Sequence, residues 1–225
     1  MLNKGWKEAA RLIDISAVQS YHTETDVRET VDIAKRYGFI NVHSLPCYTA
    51  LVSALLRDEP EIFTGAPVGF PGGGHTTEVK LLEANRLIDD GVNEMDIVMN
   101  IGAFRSGADD YVLDELVRII SLAPPHVKIK VIIEINLLSD EEMLCACRLV
   151  MQTRADFVKT GTGWVAGDAN IPRIEKILKE TTGHIKVKAA GGIRTLDEFK
   201  RLRSLGVDRF GINLKSALEI VEASK

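Results

Sequence analysis

The sequence predicts a closed (β/α)8 barrel, a TIM barrel, as a single domain over residues 1–225, and three observations predict it. First, eight short apolar runs rich in β-formers recur along the chain, each followed by a polar or glycine-bearing turn and an amphipathic segment. Strands that alternate with helices need crossover connections, and so build a parallel sheet. Second, eight such units within 225 residues, at 45% hydrophobic and 27% charged content, fit one large core. Third, no linker, low-complexity tract or repeat interrupts the alternation. An open, doubly wound sheet is the alternative arrangement of the same units.

In order, "RLIDIS" (11–16) leads into a helix over 24–38, with Gly38 where a helix C-cap belongs. "FINVHS" (39–44) precedes a helix over 47–57, and "IFTGAPVGF" (62–70) one over 77–91 that ends on Gly91. "EMDIVMN" (94–100) precedes 109–122, and period-2 alternation sets Asp96, Val98 and Asn100 on one face. "KIKVIIEI" (128–135) precedes 139–153 and sets Lys130, Ile132 and Glu134 on one face. "DFVKTG" (156–161) precedes 170–181, "IKVKAA" (185–190) precedes 195–205 with Gly206 beyond it, and "DRFGIN" (208–213) precedes 214–223.

A net charge of −4 with no Lys or Arg run argues against nucleic-acid and anionic-membrane partners, which need a basic surface. No stretch is apolar for long enough to span a bilayer, and the N-terminus has no signal-peptide core, so a cytoplasmic protein is expected. Cys47, Cys145 and Cys147 make no even disulfide framework. His22, His43, His75, His126 and His184 never approach metal-ligand spacing, and no metal site is expected. "GFPGGGHTT" lacks both the GK[ST] ending and the dinucleotide fingerprint, so its glycines read as a tight turn beside a ligand.

Catalytic groups of such a barrel belong at the C-terminal ends of strands. That filter selects Asp14, Asp96, Glu134, Lys159 and Lys188. An ammonium at an apolar strand end, beside a second ammonium, is disfavoured twice over, by desolvation and by like-charge repulsion, and its pKa falls. The neutral amine is a nucleophile that forms a Schiff base with a carbonyl, and the iminium is an electron sink for the adjacent carbon–carbon bond. A carboxylate, which Asp96 supplies, moves the protons. The bland reading is a buried ion pair between Lys188 and Asp14 or Glu134. Lys130 divides evenly between a cavity group and a paired core charge. Asn100 and Thr160 read as hydrogen-bonding linings.

"DFVKTGTGW", "VKAAGGIRT", "NEMDIVMNIGAF" and "GAPVGFPGGGHTTEVKLLEA" together resemble the deoxyribose-phosphate aldolase family, in order and over nearly the whole chain. The resemblance implies a class I aldolase joining acetaldehyde to D-glyceraldehyde 3-phosphate, with no cofactor beyond a covalent lysine Schiff base. Lys159 would form that Schiff base, Lys188 would depress its pKa and Asp96 would relay protons. Asp14, Lys130 and Thr160 are expected to line the substrate site. Gly163, Gly191, Gly192 and Gly211 would present backbone to the phosphate, with Arg194 and Asn213, and Lys215 as a further cation. A small-molecule sugar phosphate or aldehyde substrate is expected, as is a homo-oligomer, dimer or tetramer.

The chain departs from the family's pattern at "IDISAVQS", at "VHSLP", where His43 and Leu45 replace the usual cysteine and asparagine, and at "KTGTG". The eighth strand reads "FGINLKS", placing Asn213 and Leu214 where two serines are usual. A Schiff-base lyase for another, even unphosphorylated, substrate and a non-catalytic sugar-phosphate binder are the competing readings.

Overall fold

The computed structural model describes residues 5–224. Eight parallel strands close in chain order: β1 (Ile13–Ala17), β2 (Asn41–Ser44), β3 (Phe63–Val68), β4 (Glu94–Val98), β5 (Lys128–Ile132), β6 (Phe157–Lys159), β7 (Lys186–Ala190) and β8 (Arg209–Asn213). An open sheet leaves two strand edges, whereas here Asp14 is paired with Asn41 of β2 on one side and Gly211 of β8 on the other. The doubly wound alternative falls on that closure.

Ten helices surround the sheet among the described residues: α1 (Gly5–Ala10), α2 (Glu24–Tyr37), α3 (Thr49–Leu55), α4 (Thr77–Asp89), α5 (Ile101–Arg105), α6 (Asp109–Leu122), α7 (Asp140–Met151), α8 (Ile171–Thr181), α9 (Leu196–Ser204) and α10 (Leu214–Glu222). Local chemistry sets several ends. Thr23, Ser139 and Thr195 each cap the backbone of a following acidic residue, which reciprocates, and Gly38 takes a left-handed φ of 69° after α2.

The elements missing from the sequence reading, α1 and α5, are single short turns without a long periodic face. Asn100 nucleates α5 by accepting the Ala103 N–H at 3.1 Å, which removes it from the β4 face it was expected to share with Asp96. β5 likewise stops at Ile132, because Glu134 adopts a left-handed φ of 49° and turns the chain. Glu134 therefore leaves the face of Lys130. The expected helix over 47–57 is a 3-10 turn, Pro46–Tyr48, running into α3.

Outward-facing strand residues such as Ile15, Val42, Ile97, Val131, Val158, Val187 and Phe210 are buried under the helices and supply the main core. The inward-facing set is unlike a usual barrel interior of branched aliphatics. It carries Asp14, Asn41, His43, Glu94, Asp96, Lys130, Lys159, Lys188 and Arg209, all buried. Outside the sheet, a second buried pair clamps α4 to α6. There Lys80 Nζ lies 2.6 Å from Glu115 Oε1 and donates to the Val98 carbonyl at 3.0 Å, holding the end of β4 as well.

Candidate active site

The charged residues meet because parallel register carries one inward level around the barrel. Asp96 pairs with Lys130, Lys159 with Lys188, and Lys188 with Arg209 along adjacent strands. Asp96 is the hub. Its Oδ2 accepts Lys159 Nζ at 2.7 Å and Lys188 Nζ at 2.9 Å, while Lys130 Nζ stands 3.2 Å from its Oδ1. Lys188 Nζ also lies 2.5 Å from Asp14 Oδ2. Arg209 donates to Asp14 Oδ1 at 2.6 Å and to Glu94 Oε1 at 3.0 Å, and Lys130 is ion-paired with Glu94.

Lys130, Lys159, Lys188 and Arg209 thus face only Asp14, Glu94 and Asp96, so one positive charge is uncompensated. Burying an unpaired charge is costly, and the group that gives up its proton most readily relieves the cost. That group is Lys159. Burial, reinforced by the ammoniums of Lys188 and Lys130 and opposed by Asp96, lowers its pKa to about 8. For Asp96 burial alone would raise the pKa, but attraction to His43, Lys130, Lys159 and Lys188 holds it well below the carboxylate range. Asp14 is held low against the same burial penalty by Lys188, Arg209 and Lys130. Lys130 is raised: burial acts against its charge, and Asp96, Glu94 and Asp14 outweigh burial.

A cavity at the C-terminal mouth of the barrel reaches down to Lys159, Lys188 and Asp14, and Gly163, Gly191, Gly192, Arg194, Gly211 and Asn213 also line it. Nine of the residues selected from the sequence therefore share one cavity. Gly163, Gly191 and Gly192 have φ values of 79°, 92° and 77°, a backbone that only glycine adopts without strain and that brings the chain close to the cavity. Gly211 acts differently, since a Cβ there would lie 2.9 Å from Ala190 Cβ and 3.3 Å from Lys188 Cε. Its missing side chain is the space that Lys188 crosses.

Other expectations need correction. Thr160 does not reach the cavity: its hydroxyl donates to the Ala190 carbonyl at 3.0 Å and accepts the Ala190 N–H at 2.9 Å, stitching the end of β6 to β7. Lys130 does not line the cavity and is fully buried as a paired charge. Glu134 contributes nothing to the cluster, because its carboxylate accepts the Thr162 N–H at 3.0 Å and the Thr162 hydroxyl. Asn213 lines the cavity, but its side chain caps α10, accepting from Ser216 N at 3.0 Å and donating to Ser216 Oγ at 3.1 Å. Leu214 and Lys215 line a neighbouring groove with Tyr21 and His22.

The sequence reading missed Asn41, Glu94 and Arg209 and gave His43 no role. The signal was available, since each lies two residues from another inward position: His43, Asp96 and Gly211 respectively. At the mouth, Trp164 donates its Nε1–H to the Val18 carbonyl at 3.2 Å and packs edge-on against Phe70 with ring centroids 5.5 Å apart. Among the described residues, no group of three or more His, Cys, Asp or Glu is placed to hold a metal ion, and no helix is long and apolar enough to cross a membrane.

No family model matches the sequence. Among curated proteins, the chain is 44% identical over 215 residues to the deoxyribose-phosphate aldolase of Sinorhizobium medicae, covering 96% of this chain and 86% of that protein. It is 38% identical over 212 residues to that of Enterococcus faecalis, covering 94% and 96%. Among solved structures it resembles an aldolase named QR15, with a TM-score of 0.90 and 32% identity over 96% of this chain and 95% of that one. The deoxyribose phosphate aldolase of Aeropyrum pernix, described as a unique tetramer, gives 0.88 at 29% identity, over 97% and 91%. With relatives this similar across nearly their full length, and with two buried lysines converging on one aspartate at the barrel mouth, the chain belongs to the deoxyribose-phosphate aldolase family.

Proposed function

We propose that Lys159 is the Schiff-base nucleophile, that Lys188 sets its reactivity and that Asp96 relays protons. The enzyme is a carbon–carbon lyase that reversibly cleaves 2-deoxy-D-ribose 5-phosphate to D-glyceraldehyde 3-phosphate and acetaldehyde. The observation that carries the residue assignment is the shared oxygen: two ammonium groups on Asp96 Oδ2, in a cluster one positive charge in excess. Neutral Lys159 attacks the C1 aldehyde, and loss of water from the carbinolamine gives the iminium. As the C2–C3 bond breaks, its electron pair passes into the iminium, and the C3 hydroxyl loses its proton as C3 becomes the product aldehyde. Protonation of the enamine at C2 and hydrolysis then release acetaldehyde. The lysine itself is the electron sink, so the mechanism draws on no further cofactor.

The phosphate end is assigned to the backbone at Gly163, Gly191 and Gly192 with the Arg194 guanidinium, all on the cavity wall, while the Asn213 side chain on the same wall is engaged in capping α10. We read the protein as a cytoplasmic homo-oligomer. The tetrameric Aeropyrum pernix relative supports assembly, and the free thiols of Cys47, Cys145 and Cys147 suit a reducing compartment.

Borohydride reduction in the presence of acetaldehyde, followed by peptide mass mapping, tests the assignment. One ethyl adduct on Lys159 is expected. Lys159→Ala should lose the adduct and several orders of magnitude of cleavage. An adduct on Lys188 would reverse the two roles, and no adduct at all would leave a sugar-phosphate binder.

A further inference from the structure

Arg209 opens β8, two residues before Gly211, and the mechanism so far gives it no task. Gly211 lines the cavity, whereas neither Arg209 nor its partner Glu94 does. The Arg209 side chain is buried and bridges two strands, donating to Asp14 Oδ1 at 2.6 Å and to Glu94 Oε1 at 3.0 Å. The Phe157 ring, its centroid 6.0 Å from the guanidinium carbon, packs against it. A guanidinium does not give up its proton in a protein. Any excess of positive charge around Arg209 must therefore be relieved at a lysine.

Without Arg209 the inward charges would pair off one to one, Lys130 with Glu94, Lys188 with Asp14 and Lys159 with Asp96. No lysine would then gain by losing its proton. Arg209 instead occupies one oxygen of Asp14 and one of Glu94, and both of their lysines also reach Asp96. Lys188 Nζ stands 2.9 Å from Asp96 Oδ2 and Lys130 Nζ 3.2 Å from Oδ1. Asp96 thus serves three ammoniums, with His43 Nε2, 3.1 Å from Oδ2, as a further titratable neighbour. Lys130 and Lys188 each keep a second carboxylate, whereas Lys159, its Nζ 2.7 Å from Oδ2, has Asp96 alone among the described residues. A cation that shares its one counter-ion with two others is the cheapest to neutralise.

We propose that Arg209 is a positioning residue for the Schiff-base lysine: by engaging Asp14 and Glu94 outside the cavity it supplies the excess cation and leaves Lys188 and Lys130 crowding Asp96, so that Lys159 is the amine set free. This rests on the Lys159 assignment and extends it to residues that never touch substrate. Counting charges fixes the sign of each substitution. Wild type sets Lys130, Lys159, Lys188 and Arg209 against Asp14, Glu94 and Asp96, an excess of one. Arg209→Met cancels that excess and Glu94→Gln adds to it. The two substitutions together restore it.

The test follows the rate of cyanoborohydride trapping of acetaldehyde against pH in the four proteins, with peptide mapping so that only adducts on Lys159 are counted. The rate rises with the free amine, so its midpoint reads Lys159 and not His43. Arg209→Met should move the midpoint alkaline by about one unit, with a loss of about tenfold in trapping at pH 7. Glu94→Gln should move it acid, and the double variant should return it close to wild type. A merely structural Arg209 would lower trapping at every pH and leave the midpoint in place, which overturns the proposal. Shifts of both single variants in the same direction overturn it as well. If Arg209→Met does not fold, Glu94→Gln decides: an acid shift supports the charge count, and an unmoved or alkaline midpoint overturns it. No adduct on Lys159 in wild type removes the Lys159 assignment and this proposal with it, whereas a wild-type adduct with unmoved variants removes this proposal alone.

Discussion

Lys159 and Lys188 are register partners on β6 and β7, and their ammonium nitrogens end on one oxygen, Asp96 Oδ2, at 2.7 and 2.9 Å. With the Lys159 pKa lowered to about 8, the reactive amine and hence activity should rise with pH up to about 8 and level off above it. Lys188→Leu removes a like charge, so the Lys159 pKa rises and the rising limb moves alkaline. Each unit of displacement costs about tenfold in activity at pH 7. A kcat/KM profile against pH checks this, and an active variant with an unshifted limb would disprove the coupling.

Gly211→Ala should act through Lys188. The added Cβ lies 2.9 Å from Ala190 Cβ and 3.3 Å from Lys188 Cε, so the β7 wall must shift and the lysine must give by a few tenths of an ångström against its two carboxylates. A fall in kcat of roughly tenfold is expected, in line with the sensitivity of catalysis to small misplacements. The KM for 2-deoxyribose 5-phosphate should change less than kcat, and Michaelis curves for the two proteins separate these effects.

At the phosphate end, Arg194→Ala removes a charge-assisted contact of about 1.5 to 3 kcal/mol, which is roughly 10- to 100-fold in KM for the phosphorylated sugar. Unphosphorylated 2-deoxyribose should be turned over unchanged. Leu214→Ser, a restoration on sequence grounds, should leave both substrates within about twofold, because that side chain lines the neighbouring groove. A large KM gain from the serine would return Leu214 to the phosphate site.

The Lys80–Glu115 pair, both side chains fully buried, should reveal itself in stability and not in the chemistry. Lys80→Met strands a buried carboxylate and should cost about 3 to 5 kcal/mol in urea denaturation. Lys80→Met with Glu115→Leu should recover most of that loss. Failure of the double variant to recover would mean that the Lys80 bond to the Val98 carbonyl, 3.0 Å long, is the larger contribution.

Much of this was legible because it is local. Alternation of strand and helix, the C-cap at Gly38, and lysines placed at apolar strand ends are properties of neighbouring residues, and they pointed to the barrel and singled out Lys159, Lys188 and Asp96, which the fold brings into contact. Parity along a strand also held wherever the backbone stayed extended. It failed at Glu134, where a left-handed residue broke the alternation, and at Asn100, which was drawn off to cap α5.

What the sequence by itself determined, then, is the order of the units, the inward direction of each strand's charges and the family those residues resemble. Only the tertiary structure decided which charges share an oxygen, because closing β8 onto β1 brings Arg209 to Asp14 across 195 residues. The same nonlocal register turned Thr160 to the backbone of Ala190 and set the His43 ring between Asn41 and Asp96. Such pairings depend on distances between strands that no periodicity along the chain encodes, and in a dry interior those distances select which lysine gives up its proton most readily.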